Sequence, residues 1–372
     1  LIQYADNGGL LPRGACSGGY SFIMTGCPAT NMLVSTYMKD LMKKTKPSHA
    51  YEAIKRNHAP GGMMSYESAD DLKFYVKKGY CPGNAGKTLE WAFQDWGLSR
   101  MALRMGKKSD AALYEKRSRA WTPLFNKNIG LILPKKENGE WLHTDPLNGQ
   151  GWVEANAWQA TWSVSHDLPK LVELMGGGDA FCEKLNYAFE QARPTDFVHA
   201  YSGGYVSYAN QPGCSNAHLF TYGGQPWLTQ YWVRQVKEHA YGGITPDKGY
   251  GGHDEDEGQM GAVSALMSLG LFSVTGTEYD SPYYDITSPI FDKITIKLNK
   301  DYYSGDEFVI NVHNNSADNC YIQKAELNGT DWIYAQLDHV DFAKGGTLNL
   351  WLGNMPNKSW GKLKYLGFKT NK

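Results

Sequence analysis

The sequence predicts a mainly helical fold followed by a small antiparallel β module. Two observations carry this. Between about residues 31 and 275, apolar side chains recur at helical spacing. Near residue 285 the period changes to strict alternation. The length sets the scale: 372 residues, at about 150 per domain, correspond to two domains or one large one. The boundaries that follow are a helical domain over 1–285 and a β-rich module over 286–372.

The elements follow in order. Residues 1–30 are glycine-rich and are expected to be irregular. Helical segments are predicted over 31–44, 48–58, 87–105, 110–120, 155–164, 179–192, 227–239 and 259–269. In the third, Leu89, Phe93, Trp96 and Met101 fall near one face. Long connectors rich in Gly, Pro and Asn separate them at 121–154, 193–216 and 240–258, and loops of that length are usually functional. Strands are predicted over 293–298, 307–312, 320–327 and 347–351, with Asn328-Gly329 as a hairpin turn.

Composition excludes several classes. There are 37 basic and 38 acidic residues, a net charge of −1, which removes the electrostatic argument for nucleic acid or an anionic membrane. No apolar run approaches the roughly 20 residues that span a bilayer. The 24 Tyr, 13 Phe and 12 Trp offer flat apolar faces with polar handles, which suit sugar rings as well as an aromatic core. Six scattered cysteines form no C-x-x-C pair, so a thiolate zinc site is not expected. They would permit three disulfides, but spacing does not decide whether these form. The chain starts at Leu1 without a methionine, so a leader or a longer N-terminal region is expected to be absent from it.

Some motifs dissolve on inspection. Gly86-Lys87-Thr88 suggests a phosphate loop, but the G-x-x-x-x-G-K-S/T pattern needs glycine at 81, where Cys81 stands. It reads instead as a helix start with Thr88 near the N-cap. His166-Asp167 reads as a helix-end cap more readily than as a catalytic dyad.

Two acidic positions remain. Glu154 lies among Trp152, Asn156 and Trp158 after an irregular stretch and is expected to open a helix. Apolar neighbours would keep such an acid protonated. Asp254-Glu255-Asp256-Glu257 follows the glycines at 249, 251 and 252 and precedes a helix. The bland reading is a solvated helix-capping cluster. An EF-hand is excluded because its twelfth position would be Ala265. Together the two acids fit the paired-carboxylate logic of glycoside hydrolysis.

The motifs resemble, in order, those of glycoside hydrolase family 92, the calcium-dependent exo-acting α-mannosidases. Gly8-Gly9-Leu10-Leu11-Pro12-Arg13 is similar to the family's G-G-x-L-P-R. Lys87 to Ala92 with Asp95-Trp96 resembles K-T-L-E-Y-A…D-W. Trp152 to Gln159 resembles E-G-N-A-W-Q, followed by His166-Asp167 and Leu174-Met175-Gly176-Gly177. Gly224 to Gln230 matches G-x-P-W-x-T-Q, and Asp254 to Met260 resembles the acidic D/N-x-D-x-G-Q-M loop. Tyr321-Ile322-Gln323 and Pro356 to Gly361 resemble the C-terminal signatures.

The resemblance implies an (α/α)6 toroid with β-sandwich elements and single displacement with inversion. Glu154 would be the general acid, and Asp256, assisted by Asp254, the base. In an inverting site the carboxyls stand roughly 6.5–9.5 Å apart to admit water. Trp96, Asn156, Trp158, Asn210, Gln211 and Trp227 would bind the sugar. Calcium, with Gln211 as a ligand, would hold the 2- and 3-hydroxyls of a mannose-containing glycan. A secreted or periplasmic location is implied.

There are departures from the family pattern. Its N-E-P with a following His is here Asn210-Gln211-Pro212 and Ser215, so the acidic ligand is a neutral amide and metal affinity should fall. A G-D-H-A-like segment is Gly26-Cys27-Pro28-Ala29. The family's N-terminal sandwich and first barrel helices have no counterpart before Leu1. A missing N-terminal portion or another chain is therefore expected to complete the toroid. The rival expectations are the same fold acting on another terminal sugar or a mannosyl phosphodiester, and a catalytically silent glycan-binding protein.

Overall fold

The computed structural model describes residues 1–16, 19–66, 68–245, 258–276 and 281–364, the side chains of 15 and 16 excepted. The chain forms two compact units. One comprises Leu1–Ala157, Ser163–His166 and Thr275–Ser281. The other comprises Trp158–Trp162, Asp167–Val274 and Pro282–Lys372.

The first unit is built around the helix Ala85–Arg104. Its side chains Trp91, Leu98, Met101 and Ala102 are buried in one cluster. That cluster also holds Leu33, Val34 and Met38 of the helix Ala29–Met38, and Tyr51 and Ile54 of the helix Pro47–Asn57. Two further helices, Ala69–Lys78 and Lys108–Arg117, complete it. The helix Ala69–Lys78 has its full set of end signals. Ser68 accepts from the Asp71 N–H, Asp70 and Asp71 lie in the first turn, Lys77 and Lys78 in the last, and Gly79 closes it left-handed.

A buried polar chain ties these helices together. Asp95 is fully buried. Its carboxylate accepts from His58 Nδ1 (2.8 Å), the Tyr75 hydroxyl (2.9 Å) and Arg117 Nε (2.8 Å). With Nδ1 donating, His58 Nε2 accepts from the Thr30 hydroxyl at 2.9 Å. Burial holds His58 below its usual range, and Asp95 opposes that shift. Residues 10–27 are sewn to the same region. Asn57 bonds both the N–H and the C=O of Leu11. Arg13 donates to the carbonyls of Gly26, Phe22, Met24 and Met63.

Those contacts explain one departure from expectation. Residues 1–30 contain a helix, Ile2–Gly8, and a short ladder pairing Gly14–Cys16 with Gly19–Ser21. The Tyr20 hydroxyl bonds the carbonyls of Tyr4 and Leu10, so tertiary contacts order a stretch whose composition reads as loop.

The second unit pairs helices with two sheets. In the helix Gly178–Ala192, the residues Phe181, Cys182, Leu185, Ala188, Phe189 and Ala192 form the buried stripe that the 3.6-residue period dictates. Phe189 meets Trp232 of the helix Pro226–His239 at 4.9 Å and Phe220 at 5.7 Å. The segment expected as one helix over 155–164 is broken. A single turn, Ala157–Ala160, gives way to the 3₁₀ turn Thr161–Ser163. The Trp162 indole N–H bonds the Trp158 carbonyl at 2.7 Å, an acceptor that a continuing helix would give to a backbone N–H.

The five-stranded sheet has the order Thr330–Asp331, Tyr321–Leu327, Gly346–Gly353, Glu307–His313, Lys293–Lys297. Its pairs are antiparallel except Gly346–Gly353 with Glu307–His313. A helix, His339–Ala343, leads the chain into Gly346–Gly353 in the same direction as Glu307–His313. Alternate residues Phe308, Ile310, Val312 and Leu348, Leu350, Leu352 are buried. Asn328 and Gly329 both have positive φ, 51° and 78°, as a two-residue hairpin turn requires. A three-stranded sheet, Gln336–Asp338, Tyr283–Ile286 and Leu271–Phe272, buries Asp285 completely. The Tyr222 hydroxyl reaches its carboxylate oxygens at 3.0 and 3.2 Å. No described helix is long and apolar enough to cross a membrane. The described cysteines, Cys27, Cys81, Cys182, Cys214 and Cys320, are buried free thiols.

Two outcomes follow. Asp95→Ala leaves His58, Tyr75 and Arg117 without their shared acceptor. It should cost about 3–5 kcal/mol in denaturant unfolding, and a loss below about 1 kcal/mol would remove Asp95 from its central role. Burial pushes Asp285 up to about 7. Its proton is therefore held more tightly in the folded state, and its unfavourable contribution grows as pH rises from about 4 to 7. The stability advantage of Asp285→Asn over the parent should rise across that window and level off above it, which thermal melts at several pH values would read.

Candidate functional site

Glu154 sits in a bend three residues ahead of the turn Ala157–Ala160, and so does not open a helix. Its φ is 49°, a left-handed conformation that non-glycine residues seldom adopt. Such strain persists only where the surroundings over-determine it. Here they do. The Ala85 N–H bonds the Gly151 carbonyl at 2.8 Å, and the Ala157 N–H bonds Pro146 at 3.1 Å. Gly151 has φ +80°, and a Cβ there would meet Pro134 at 2.7 Å and the Gly83 carbonyl at 2.9 Å. A Cβ on Gly86 would come within 3.1 Å of the Val153 nitrogen. The approach at Gly151 admits only glycine and that at Gly86 is tighter than an ordinary Cβ contact, so the loop 83–86 acts as a clamp on the bend that carries Glu154.

That clamp is the segment that resembles a phosphate loop. Its helix is capped by Asn84, whose side chain accepts from the Lys87 N–H at 2.8 Å, and not by Thr88. Thr88 lies one turn on; its hydroxyl donates to the Asn84 carbonyl and accepts from the Cys81 N–H. Lys87 is paired with Asp71 at 2.8 Å. Further along the same helix, Gln94 accepts from the Cys27 N–H at 2.7 Å, and Glu90 accepts from the Thr25 hydroxyl. The family-like run 87–96 is thus a frame for its neighbours.

The other predicted residues are placed as follows. Asn156 is fully buried beside Glu154 in the clamped segment. Trp96 is buried, with Phe93 at 6.1 Å and His166 at 6.1 Å. His166 Nε2 donates to the Ser118 carbonyl at 2.9 Å, and burial pushes its pKa down to about 4. That fits a neutral packing histidine rather than a dyad member. Asp167 stands at the N-cap of the helix Leu168–Leu174 without a side-chain capping bond.

In the second unit, Trp158 meets Tyr205 at 5.2 Å and Tyr187 at 5.7 Å, with the Lys184 ammonium 5.1 Å from its ring. Burial holds Lys184 below its usual range. Lys184, Tyr187 and Tyr205, which pack around Trp158, are not among the residues the sequence singles out. Tyr187, a half-exposed aromatic on an otherwise amphipathic helix, was the available signal.

Asn210 and Gln211 begin a tight 3₁₀ turn, Gln211–Gly213, in which Asn210 Oδ1 accepts from the Gln211 N–H at 2.9 Å. Gly213 admits the Ser207 carbonyl where a Cβ would lie 2.0 Å away. Trp227 is half-buried under the Lys358 ammonium at 5.4 Å. Its neighbours have structural duties. Thr229 accepts from the Thr221 N–H, and Gln230 accepts from the Ile322 N–H at 2.8 Å, joining this helix to the strand Tyr321–Leu327.

Asp254 and Asp256 lie outside the described residues. Among the described residues no group of three His, Cys, Asp or Glu could hold a metal ion. Gln211 would offer one neutral oxygen where calcium takes six to eight. The described donors alone do not fit a calcium site.

The model of the glycosyl hydrolase family 92 catalytic domain matches residues 1–354. An Arthroderma benhamiae protein named an uncharacterized secreted glycosidase is 27% identical over 402 residues, covering 97% of this chain and 49% of its own length. The solved structure of a family GH92 inverting mannosidase from Bacteroides thetaiotaomicron is 30% identical with a TM-score of 0.83. That match covers 97% of this chain and 50% of the mannosidase. A GH92 α-mannosidase from the same species, solved with mannoimidazole, shares the fold at 24% identity and a TM-score of 0.82, covering 98% of this chain and 49% of that one. The chain thus spans about half the length of these relatives. With the family model running through residues 1–354 of 372, this chain belongs to glycosyl hydrolase family 92.

Proposed function

We propose that this protein is an inverting exo-acting α-mannosidase, α-1,2-mannosidase-like, that removes terminal mannose from glycans. The observation that carries the reading is the strained bend at Glu154, clamped by Gly151 and the loop 83–86, in a chain of this family. Strained backbone states held by their surroundings cluster at functional sites, which supports a catalytic role for Glu154. The 30% identical relative, described as an inverting mannosidase, supports the same chemistry.

In this reading Glu154 protonates the glycosidic oxygen as the bond to the departing group breaks. Asp256, assisted by Asp254, takes a proton from the water that attacks the opposite face of the sugar. Asn156, Trp158, Asn210, Gln211, Trp96 and Trp227 form the sugar-binding set. Its scaffold is proposed as an (α/α)6 toroid, completed by further sequence or another chain. Calcium is proposed as a cofactor with Gln211 as one neutral ligand, and no step here is routed through it. The name of the Arthroderma relative supports a secreted or periplasmic location.

A second reading keeps the chemistry and changes the substrate to another terminal sugar or a mannosyl phosphodiester. The neutral turn at Asn210–Gly213 favours it, since the residue expected to be acidic is Gln211.

The first test is sugar release from a panel of α-mannosides and other terminal α-sugars, using this chain and any longer natural form containing it. Mannose release with inverted anomeric configuration is expected. Release of a different sugar alone would favour the second reading, and binding without any product would favour a silent glycan-binding protein. Glu154→Gln should lower kcat/KM on unactivated mannosides by about 10²–10⁴ and much less on substrates with a good leaving group. Unchanged turnover would remove Glu154 from its role. A chelator should abolish activity and excess calcium restore it; full activity in chelator would take calcium out of the proposal.

A further inference from the structure

The helix Pro226–His239 carries two cations three residues apart, Arg234 and Lys237, on one face. Both line a cavity of about 400 Å³ whose walls include Ile290, Asn315 and Ser316 and whose one lining carboxylate is the exposed Glu238. Arg234 is half-buried. Its Nε donates to the carbonyl (3.2 Å) and hydroxyl (3.0 Å) of Ser288, and its Nη2 donates to Asn315 Oδ1 (2.5 Å). All three acceptors are neutral. Among the described residues no carboxylate pairs with Arg234, and its Nη1 has no protein partner. The nearby Asp292 is bonded by the Asn315 amide instead, at 3.1 Å. Lys237 also has a neutral acceptor, the Tyr241 carbonyl at 2.9 Å.

Cations near a helix C-terminus complement its dipole, which accounts for Lys237. It does not account for a guanidinium partly withdrawn from water with no carboxylate bonded to it among the described residues. A buried unpaired charge is costly, and an anion of the right shape removes that cost. Burial pushes both Arg234 and Lys237 below their usual ranges. The Ser316 hydroxyl accepts from the Asn319 N–H at 3.1 Å, which leaves its proton to donate. The cavity thus offers a guanidinium fork, an ammonium and a hydroxyl, a donor set matched to an acceptor-only group.

We propose that this cavity binds a sulfate- or phosphate-type oxyanion, held by Arg234 and Lys237 with Ser316 donating. Arg234 supplies planar two-point recognition, and Lys237 a second charge. The volume exceeds that of the bare ion, so the group can arrive free or as an ester on a small sugar.

The test is calorimetric titration of the whole chain with sodium sulfate and, separately, with a monosaccharide 6-sulfate, at an ionic strength fixed by sodium chloride. Saturable binding of at least one is expected. A tighter fit for the sulfated sugar identifies an ester as the source, and equal affinities identify the free ion. Lys237→Gln should weaken binding by about tenfold or more, and Arg234→Gln should abolish it. Should Arg234→Gln fail to fold through loss of its bonds to Ser288 and Asn315, Lys237→Gln decides, since it leaves those bonds in place. No binding by the parent chain, or unchanged affinity in Lys237→Gln, would overturn the proposal.

Discussion

The buried carboxylate of Asp95 is the constraint on which the first unit depends. A charge removed from water must be met by hydrogen-bond donors, and three different elements supply them. His58 comes from the end of one helix, Tyr75 from a second and Arg117 from a third. Satisfying one side chain therefore fixes three helices against the helix Ala85–Arg104. The same helix directs Gln94 and Glu90 to the segment around Cys27 and presents its glycine-lined N-terminus to the bend at Glu154. The proposed acid is thus held by a scaffold whose register is set nearly three turns away.

This arrangement changes how the family-like motifs are understood. Much of each motif is framework rather than chemistry. Within 87–96, Thr88, Glu90, Gln94 and Asp95 are engaged by the protein's own backbone and side chains. Within 224–230, Thr229 and Gln230 tie a loop and a strand to the helix that follows. The neutral turn at Asn210 is closed by its own amide and by a glycine that lets two backbone segments touch. Motif residues of this kind keep a few reacting groups in place, so a motif match locates a site without saying which of its members touch substrate.

Periodicity made most helices and the main strands legible, because burial of one face imposes a repeat of 3.6 or 2. It failed where local and tertiary demands diverged. The stretch 155–164 has helical composition, yet Trp162 is drawn into the core against Phe181 and its indole takes a helix carbonyl. Residues 1–30 read as loop because their order comes from Tyr20, Arg13 and Asn57 reaching over long sequence separations. The helix Ala69–Lys78 buries only Leu72 and Tyr75, so its apolar stripe is thin, and its caps were the stronger signal. The resemblance to a phosphate loop failed for a positive reason: those glycines serve close backbone packing.

The sequence by itself determined the family, most of the longer helices and the main strands, because these rest on residue identity and spacing. Tertiary structure alone decided that Glu154 occupies a strained bend rather than a helix start, that Asp95 gathers three donors, and that Arg234 meets only neutral acceptors among the described residues. Each of those depends on which distant backbone or side chain arrives at a given place, and no local pattern along a chain encodes that distance.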